Sequence, residues 1–170
     1  MVMQKTYRRS WRSDLTQALN DLQGPDGHVR TAFVGVGNEL HAGDSIGIWI
    51  ARALTPRFLD REDVLVLDGG LAPENLTGVL RQFSPHLVVF IDAAVFDLNE
   101  EPIRWLDWQE TIGLTASTHS LPLHMVSSYL TQELGCEVGL LGIQVEGDGC
   151  SEAYMADVVS ALEDVVAGMA

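Results

Sequence analysis

The hydrophobic residues of this chain fall into short continuous runs separated by stretches in which they recur at helical spacing. Continuous apolar runs bounded by turn residues are typical of buried strands. Three such runs predict strands over residues 31–36, 64–67 and 87–91, and the third is apolar throughout, as expected of a central strand. Residues 103–108 alternate more and predict an edge strand or hairpin arm, and residues 137–145 predict the last strand.

Between these runs, apolar residues three and four positions apart predict helices. A first amphipathic helix begins near Trp11 and is stopped by Gly24-Pro25. A second has one apolar face, formed by Ile46, Trp49, Ile50, Ala53 and Leu54. The remaining predicted helices cover residues 73–83, residues 122–134 and the stretch after Ser151.

This alternation of strands and helices predicts an α/β fold. We expect a single three-layer domain with a mostly parallel (mixed) sheet of about five strands and helices on both faces. The length of 170 residues and an apolar content of 46% are enough for one such domain with its own core. Within it, residues 1–30 form an N-terminal amphipathic helix and lead-in, and residues 31–170 form the domain proper.

The acidic balance of the chain restricts its partners. Ten basic and twenty-four acidic side chains give a formal net charge of -14 at pH 7, which disfavours binding to nucleic acid or to an anionic membrane surface. No apolar stretch approaches the ~18 residues of a spanning helix. Cys136 and Cys150 fit neither a disulfide framework nor a CxxC metal site, which favours a reducing compartment, and we expect a cytoplasmic protein that is a monomer.

Three potential metal ligands follow predicted strands or precede a helix. Asp44 comes after the first strand, Asp92 after the third, and His119 in the loop before the helix at residues 122–134. Such positions converge at the carboxyl edge of a parallel sheet. Two carboxylates and an imidazole suit nickel, zinc or a similar divalent ion and leave coordination positions open.

Each of these three residues also has an ordinary structural interpretation. Asp44 could cap the helix that follows it, and Asp92 could begin an Asx turn after its strand. His119 could be a solvated loop histidine. His41 and His124 lie nearby in the sequence, and we interpret both as surface or supporting histidines.

Glycines surround the predicted site. Gly35 and Gly37 predict a tight turn that lets a substrate backbone approach, and Asn38 can tie this turn together through its side-chain amide. Gly69 and Gly70 follow the second strand and could form a neighbouring wall for the substrate. A purely structural glycine turn remains the alternative.

Five motifs, in order, resemble those of the nickel-iron hydrogenase maturation endopeptidases, and most closely the hydrogenase 3 type. They are GVGNEL followed by Asp44 and Gly47, DGG-x-APEN at residues 68–75, IDA at residues 91–93, THSLPL at residues 118–123 and LGIQ at residues 141–144. The resemblance covers residues 31–166. It implies a mixed sheet between helices and an activity that removes the C-terminal extension of a hydrogenase large-subunit precursor after nickel insertion.

The resemblance also implies a ligand set. The metal-binding positions of the family fall on Asp44, Asp92 and His119, with nickel as the ion and with cadmium or zinc able to replace it in crystals. Many relatives have two adjacent acids where this chain has Gly43-Asp44, and the second acid is the one retained here. Loss of the first acid affects the expected substrate preference more than the expected metal contact.

The sequence offers no obvious nucleophile for peptide cleavage, since it has no GxSxG elbow and no recognisable Cys-His pair. Water is therefore the expected attacking group, with Asp44 and Asp92 as the catalytic carboxylates of an aspartyl endopeptidase. In one version the nickel held by the precursor also activates the reaction, and in the other it serves only for recognition while Asp44 or Asp92 acts as general base.

Two other classes of function stay open. Gly35-Val36-Gly37 after a strand, with Asp68 ending the next strand, could belong to a nucleotide-binding module, although Leu40 stands where the third glycine of GxGxxG is required. A non-catalytic relative that binds the precursor or its nickel as an assembly checkpoint is the second alternative.

Overall fold

The computed structural model of the chain describes residues 10–25, 27–96, 101–111, 121–145 and 151–168. Within these ranges, strands and α-helices alternate. Their order is α1 (Trp11–Asp21), β1 (Thr31–Val36), α2 (Ile46–Leu54), β2 (Val64–Gly70), α3 (Thr77–Phe83), β3 (Leu87–Ala94), β4 (Ile103–Asp107), α4 (Leu123–Leu134), β5 (Glu137–Gln144) and α5 (Glu152–Ala167).

The strands form one five-stranded sheet in the order β2-β1-β3-β5-β4. β2, β1, β3 and β5 are parallel to one another, and β4 runs antiparallel to β5 at the edge. The sheet lies between two layers of helices, so the predicted α/β class with a mostly parallel, mixed sheet is confirmed. The edge position predicted for the strand at residues 103–108 is confirmed as well.

Two strands continue past their last predicted residue. β2 extends to Gly70, which pairs with Val36, and β3 extends to Ala94, which pairs with Gln144. The ladder continues because backbone groups, which do not depend on side-chain hydrophobicity, make its hydrogen bonds. Asp92 consequently lies inside β3 instead of in the loop after it, so its interpretation as the start of an Asx turn is wrong.

The helix ends follow the predicted signals closely. Gly135 ends α4 in the left-handed conformation with φ 64°, and the Ser151 side chain caps α5 by accepting a hydrogen bond from the Tyr154 N–H at 3.2 Å. The predicted helix over residues 73–83 is instead a 3-10 turn, Pro73–Leu76, followed by α3. None of the described helices is long and apolar enough to span a lipid bilayer.

Each face of the sheet has its own hydrophobic core. α1, α2 and α5 cover one face, and α3 and α4 cover the other. Leu15 and Leu19 of α1 are buried in the first core together with residues of α2 and α5. The N-terminal helix therefore packs on the same sheet as the remainder of the described chain.

The buried face of α2 matches the predicted one in part, since Ile46, Ile50 and Leu54 are buried in the first core. Trp49 is 53% exposed and Ala53 is exposed, whereas Ile48 and Ala51 are buried beside Gly47. The helix lies so close to the sheet that small residues form its inner surface. A pattern based only on hydrophobicity does not predict this contact between small residues of the helix and the sheet.

Candidate active site

Backbone hydrogen bonds hold the turn after β1 closed at the carboxyl edge of the sheet. The Gly37 N–H donates to the Gly70 carbonyl at 3.0 Å, which joins the ends of β1 and β2. The Asn38 N–H donates to the Asp44 carbonyl at 3.1 Å, and the Asp44 N–H donates to the His41 carbonyl at 2.8 Å. Asp44 is the last residue of a 3-10 turn, Ala42–Asp44, and these bonds fix its position at this edge.

The side chain of Asn38 adds a second set of bonds to the turn. Its Oδ1 accepts a hydrogen bond from the Leu40 N–H at 3.0 Å, and its Nδ2 lies 2.9 Å from Nδ1 of His41. Asn38 therefore ties the turn together, as predicted. Its contact with a substrate stays a prediction.

The absence of side chains at Gly35 and Gly47 lets α2 contact the sheet backbone. A Cβ at Gly47 would lie 2.0 Å from the Ile91 carbonyl oxygen and 2.4 Å from that of Val36. A Cβ at Gly35 would lie 2.1 Å from the Gly47 carbonyl oxygen. Since real Cβ atoms do not approach backbone this closely, both positions exclude larger residues.

Gly37 has an analogous role in the turn. A Cβ there would lie 1.9 Å from the carbonyl oxygen of Asp44, and the φ of +150° is one that L side chains rarely adopt. The predicted tight turn is confirmed. Gly35 and Gly37 are both buried and serve internal packing, and their contact with a substrate backbone stays a prediction.

Asp92 brings a carboxylate into the sheet. It pairs with Gly142 of β5 and is only 6% exposed. Residues alternate between the faces of a strand, so Asp92 lies on the same face as Phe90 and Ala94, which is the one covered by α3 and α4. A buried acid in an otherwise apolar strand is costly unless the surrounding groups or a bound cation compensate for its desolvation.

Asp44 and Asp92 lie at the same edge of the sheet. The 3-10 turn that carries Asp44 contacts β3, and Gly47, at the start of α2, packs on Ile91, the residue before Asp92. Ser45 is the N-cap residue of α2, but its side chain makes no capping hydrogen bond, and the capping interpretation of Asp44 stays a prediction. The half-buried Asp44 is the more accessible of the two acids.

His119, the third predicted ligand, lies outside the described residues. Among the residues that are described, no group of three or more His, Cys, Asp or Glu side chains is arranged to hold a metal ion. Asp44 and Asp92 thus form the described part of the predicted site, and the complete ligand set stays a prediction.

Gly69 and Gly70 flank the turn on the β2 side. A Cβ at Gly69 would lie 3.0 Å from the Gly35 carbonyl oxygen, whereas the position at Gly70, with φ +51°, is open to solvent. The two glycines therefore lie beside the turn and have no side chains that would fill the space next to it. Their role in binding substrate stays a prediction.

An ion-pair network outside the predicted site joins the end of β2, which carries these glycines, to α2 and to the turn after β1. Arg52 of α2 pairs with Asp68 at 2.7 Å and also with Glu39 in the turn, and the Asp68 Oδ1 accepts a hydrogen bond from the Gly70 N–H at 3.1 Å. These acids raise the pKa of the Arg52 guanidinium, with the Asp68 hydrogen bond as the largest cause. Arg52 was not predicted from the sequence, although its position on α2 within reach of two acids, Glu39 and Asp68, was the available signal.

The remaining histidines and the described cysteine do not form a nucleophilic pair. His41 is exposed, and the partly buried His124 lies in the first turn of α4. Cys136 is 3% exposed, and burial raises the pKa of its thiol. Cys136 packs as a small hydrophobic residue in the second core, and Cys150 lies outside the described residues.

Comparison with known proteins identifies relatives of the chain. The family model for hydrogenase maturation proteases matches residues 48–169. The hydrogenase 3 maturation protease of Escherichia coli (strain K12) is 31% identical over 133 residues, which cover 76% of this chain and 82% of the relative.

Two solved structures share the fold. The crystal structure of a nickel-iron hydrogenase maturation protease from Thermococcus kodakarensis matches with a TM-score of 0.70 and 31% identity, and covers 89% of this chain and 97% of that one. The hydrogenase maturating endopeptidase HybD from Escherichia coli matches with a TM-score of 0.60 and 29% identity, over 82% and 91% of the respective chains. The chain therefore belongs to the hydrogenase maturation protease family and is a peptidase.

Proposed function

We propose that this chain removes the C-terminal extension of a nickel-iron hydrogenase large-subunit precursor after nickel has been inserted. The observation that carries the proposal is the buried carboxylate of Asp92, which lies beside the turn that fixes Asp44 at one edge of the sheet. The proposal includes a monomeric enzyme that acts in the cytoplasm, in keeping with a sequence whose two cysteines do not match the pattern of a disulfide framework.

Nickel is part of the substrate in this proposal, because it arrives with the precursor. Carboxylate and imidazole ligands suit such a divalent ion. Asp44 and Asp92 would contribute oxygen ligands and His119 a nitrogen ligand. The buried position of Asp92 supports this assignment, since a cation compensates the desolvation of a carboxylate.

The chemistry follows from the residues at the edge. Nickel supplies recognition and can polarise the scissile carbonyl. Asp44, the more accessible acid, orients the attacking water, takes its proton on a carboxylate oxygen and returns it to the nitrogen of the departing extension as the C–N bond breaks. Asp92 holds its carboxylate rigidly within β3, and Gly69 and Gly70 leave room for the peptide backbone beside the turn.

A mass measurement tests the proposal. The purified chain is incubated with nickel-loaded precursor and, separately, with nickel-free precursor. We expect the nickel-loaded precursor to lose a mass equal to its C-terminal extension, and the nickel-free precursor to remain intact. Binding of the loaded precursor without any loss of mass would contradict cleavage and support the assembly-checkpoint alternative, for which the Gly43 departure is the motivating feature.

A further inference from the structure

We propose that four exposed aliphatic side chains along the carboxyl edge of the sheet dock the segment of the precursor that surrounds the scissile bond. This apolar rim consists of Leu71, Leu40, Val95 and Leu121. The inference rests on the proposed function, because it assigns these residues to recognition of the same substrate. It adds a specificity-determining surface to the two acids.

The four residues follow the order of the strands. Leu71 comes directly after β2, Leu40 lies in the turn after β1, and Val95 comes directly after β3. Leu121 precedes α4, whose first turn lies at the same edge because α4 leads back into the parallel strand β5. The rim therefore runs across the ends of β2, β1 and β3, which are spaced ~4.8 Å apart, and continues to the start of α4, the helix that contacts β5.

These side chains are accessible in the free protein. Leu40 is 90% exposed and Val95 69%, while Leu71 and Leu121 are 42% and 37% exposed. Scattered surface leucines are common, but a row of aliphatic residues at the edge that carries Asp44 and Asp92 is typical of a protein-binding site.

The exposure of Leu40 is built into the turn that carries it. Its N–H is held by the Asn38 side chain, and the preceding residue, Glu39, is paired with Arg52 on α2. The neighbouring backbone bonds close the turn at Asp44. The leucine is consequently presented to solvent by a braced turn.

The length and chemistry of the rim favour an extended, apolar peptide segment. An extended chain advances ~3.3 Å per residue, so about five residues span the rim. Apolar side chains of this segment would be buried against the rim, and the same contact would exclude water from the acids, where electrostatic interactions then become stronger. A segment rich in charged residues would bind poorly, because burying its charges against four aliphatic side chains costs their hydration.

Substitution at Leu40 tests the inference. Steady-state cleavage of the nickel-loaded precursor is measured for wild type, Leu40→Ser and Leu40→Asp. Leu59→Ser is the matched control, because Leu59 is 74% exposed in the turn that leads into the opposite end of β2. We expect Leu40→Ser to raise KM by about tenfold with kcat within about twofold of wild type, as for loss of one buried anchor, and Leu59→Ser to change neither constant.

The outcomes separate the two proposals. If wild type cleaves the precursor and Leu40→Ser has the same KM as Leu59→Ser, the apolar rim is wrong while the proposed function stands. An effect of Leu40→Asp alone would attribute the loss to the added charge and also overturn the rim. If wild type neither cleaves nor binds the precursor, the proposed function fails and the rim fails with it. Melting temperatures of the variants within about 2 °C of wild type establish that each is folded.

Discussion

The two acids at the sheet edge have different physical settings. Asp44 is half-buried in a turn that its own backbone closes, whereas Asp92 is almost fully buried in a strand of apolar residues. Burial of a charged side chain opposes folding. A buried acid is therefore retained where its charge serves another purpose. In the proposed function that purpose is the precursor's nickel.

Replacement of Asp92 by asparagine separates this purpose from a bracing role. Asn keeps the size of the side chain but removes its charge, so we expect processing of nickel-loaded precursor to fall by at least about 100-fold. The melting temperature should stay close to that of wild type, because Asn has the same size and can still accept and donate hydrogen bonds. Asp107→Asn, at an exposed position of β4, is the control and should process normally. Parallel losses of activity and thermal stability in Asp92→Asn would instead indicate that Asp92 braces the strand.

Cys136 provides a test of burial at the second core. Its thiol is covered, and burial raises its pKa, so the reactive thiolate is scarce at neutral pH. In a Cys150→Ser background we expect no reaction with a thiol reagent such as iodoacetamide until the protein is unfolded in guanidinium chloride. Rapid labelling of the native protein, followed by mass spectrometry, would contradict this placement.

At the scale of elements, the contact of α2 with the sheet organises the site. Hydrophobic periodicity located this helix and three of its buried residues correctly, but it also assigned Trp49 and Ala53 to the buried face, and both are exposed. The inner face is set by Gly47 and Ala51, which fit against Gly35 where a larger residue would not. The steric fit between the helix backbone and the sheet backbone depends on residues far apart in sequence. The spacing of apolar residues within one helix therefore cannot predict this fit.

Gly47→Ala should disrupt this contact. The added Cβ would overlap backbone carbonyl oxygens of β1 and β3, which cannot move independently of the sheet. We expect a loss of about 3 kcal/mol or more in the free energy of unfolding, which corresponds to a melting temperature lower by about 6–12 °C. Gly78→Ala in α3, where a Cβ would meet nothing within 4 Å, is the control and should be neutral or stabilising by up to about 1 kcal/mol. Equal melting temperatures for the two variants would contradict the close approach of α2.

The turn that leads into β2 contains a pH-sensitive ion pair. Arg61 donates two hydrogen bonds to Asp63, at 2.7 and 2.8 Å, and thereby lowers the pKa of the Asp63 carboxyl. A depressed carboxyl pKa stabilises the fold above the unfolded-state pKa of about 3.9, and this contribution is lost as the pH falls through the lower folded-state value.

Asp63→Asn tests this contribution. For a partly exposed pair we expect wild type to be more stable than the variant by about 0.5–1 kcal/mol at pH 6. The difference should shrink as the pH falls below the unfolded-state pKa of about 3.9 and disappear below the lower folded-state pKa, when the free energies of unfolding are measured by urea denaturation. A difference that persists unchanged at low pH would show that the ion pair is not its source.

At the scale of the whole molecule, α1 belongs to the same core as the helices that follow it. Leu19 is 2% exposed beside residues of α2 and α5. We expect Leu19→Ala to lower the free energy of unfolding by about 2–4 kcal/mol, because it leaves a cavity in this core. The neighbouring, exposed Asn20→Ala should change it by less than about 0.5 kcal/mol. In urea denaturation followed by circular dichroism, a separate early transition of α1 would contradict a shared core.

The sequence was sufficient to predict which segments are strands, which are helices and which fold class they form. Most strands are continuous apolar runs, and the helices have apolar residues at helical spacing. The sequence did not yield the strand order, in which β1 lies between β2 and β3, because this order depends on packing between distant segments. It placed Asp44 and Asp92 at one edge through the general geometry of parallel sheets. It missed Arg52 and the exposure of Leu40, since both depend on how one particular turn is folded against α2.

Gly35, Gly37 and Gly47 together give a geometric signature for comparing other chains. Each excludes even a methyl group because backbone atoms already occupy that space. The spacing is a Gly-x-Gly pair followed by a third glycine after nine intervening residues. It therefore indicates that the helix contacts the sheet backbone, whichever acidic residues the loop contains. A distant homologue with this spacing can be expected to retain the contact between this helix and the sheet even where the acids of the loop have changed, and one without it must hold the helix that corresponds to α2 further from the strands.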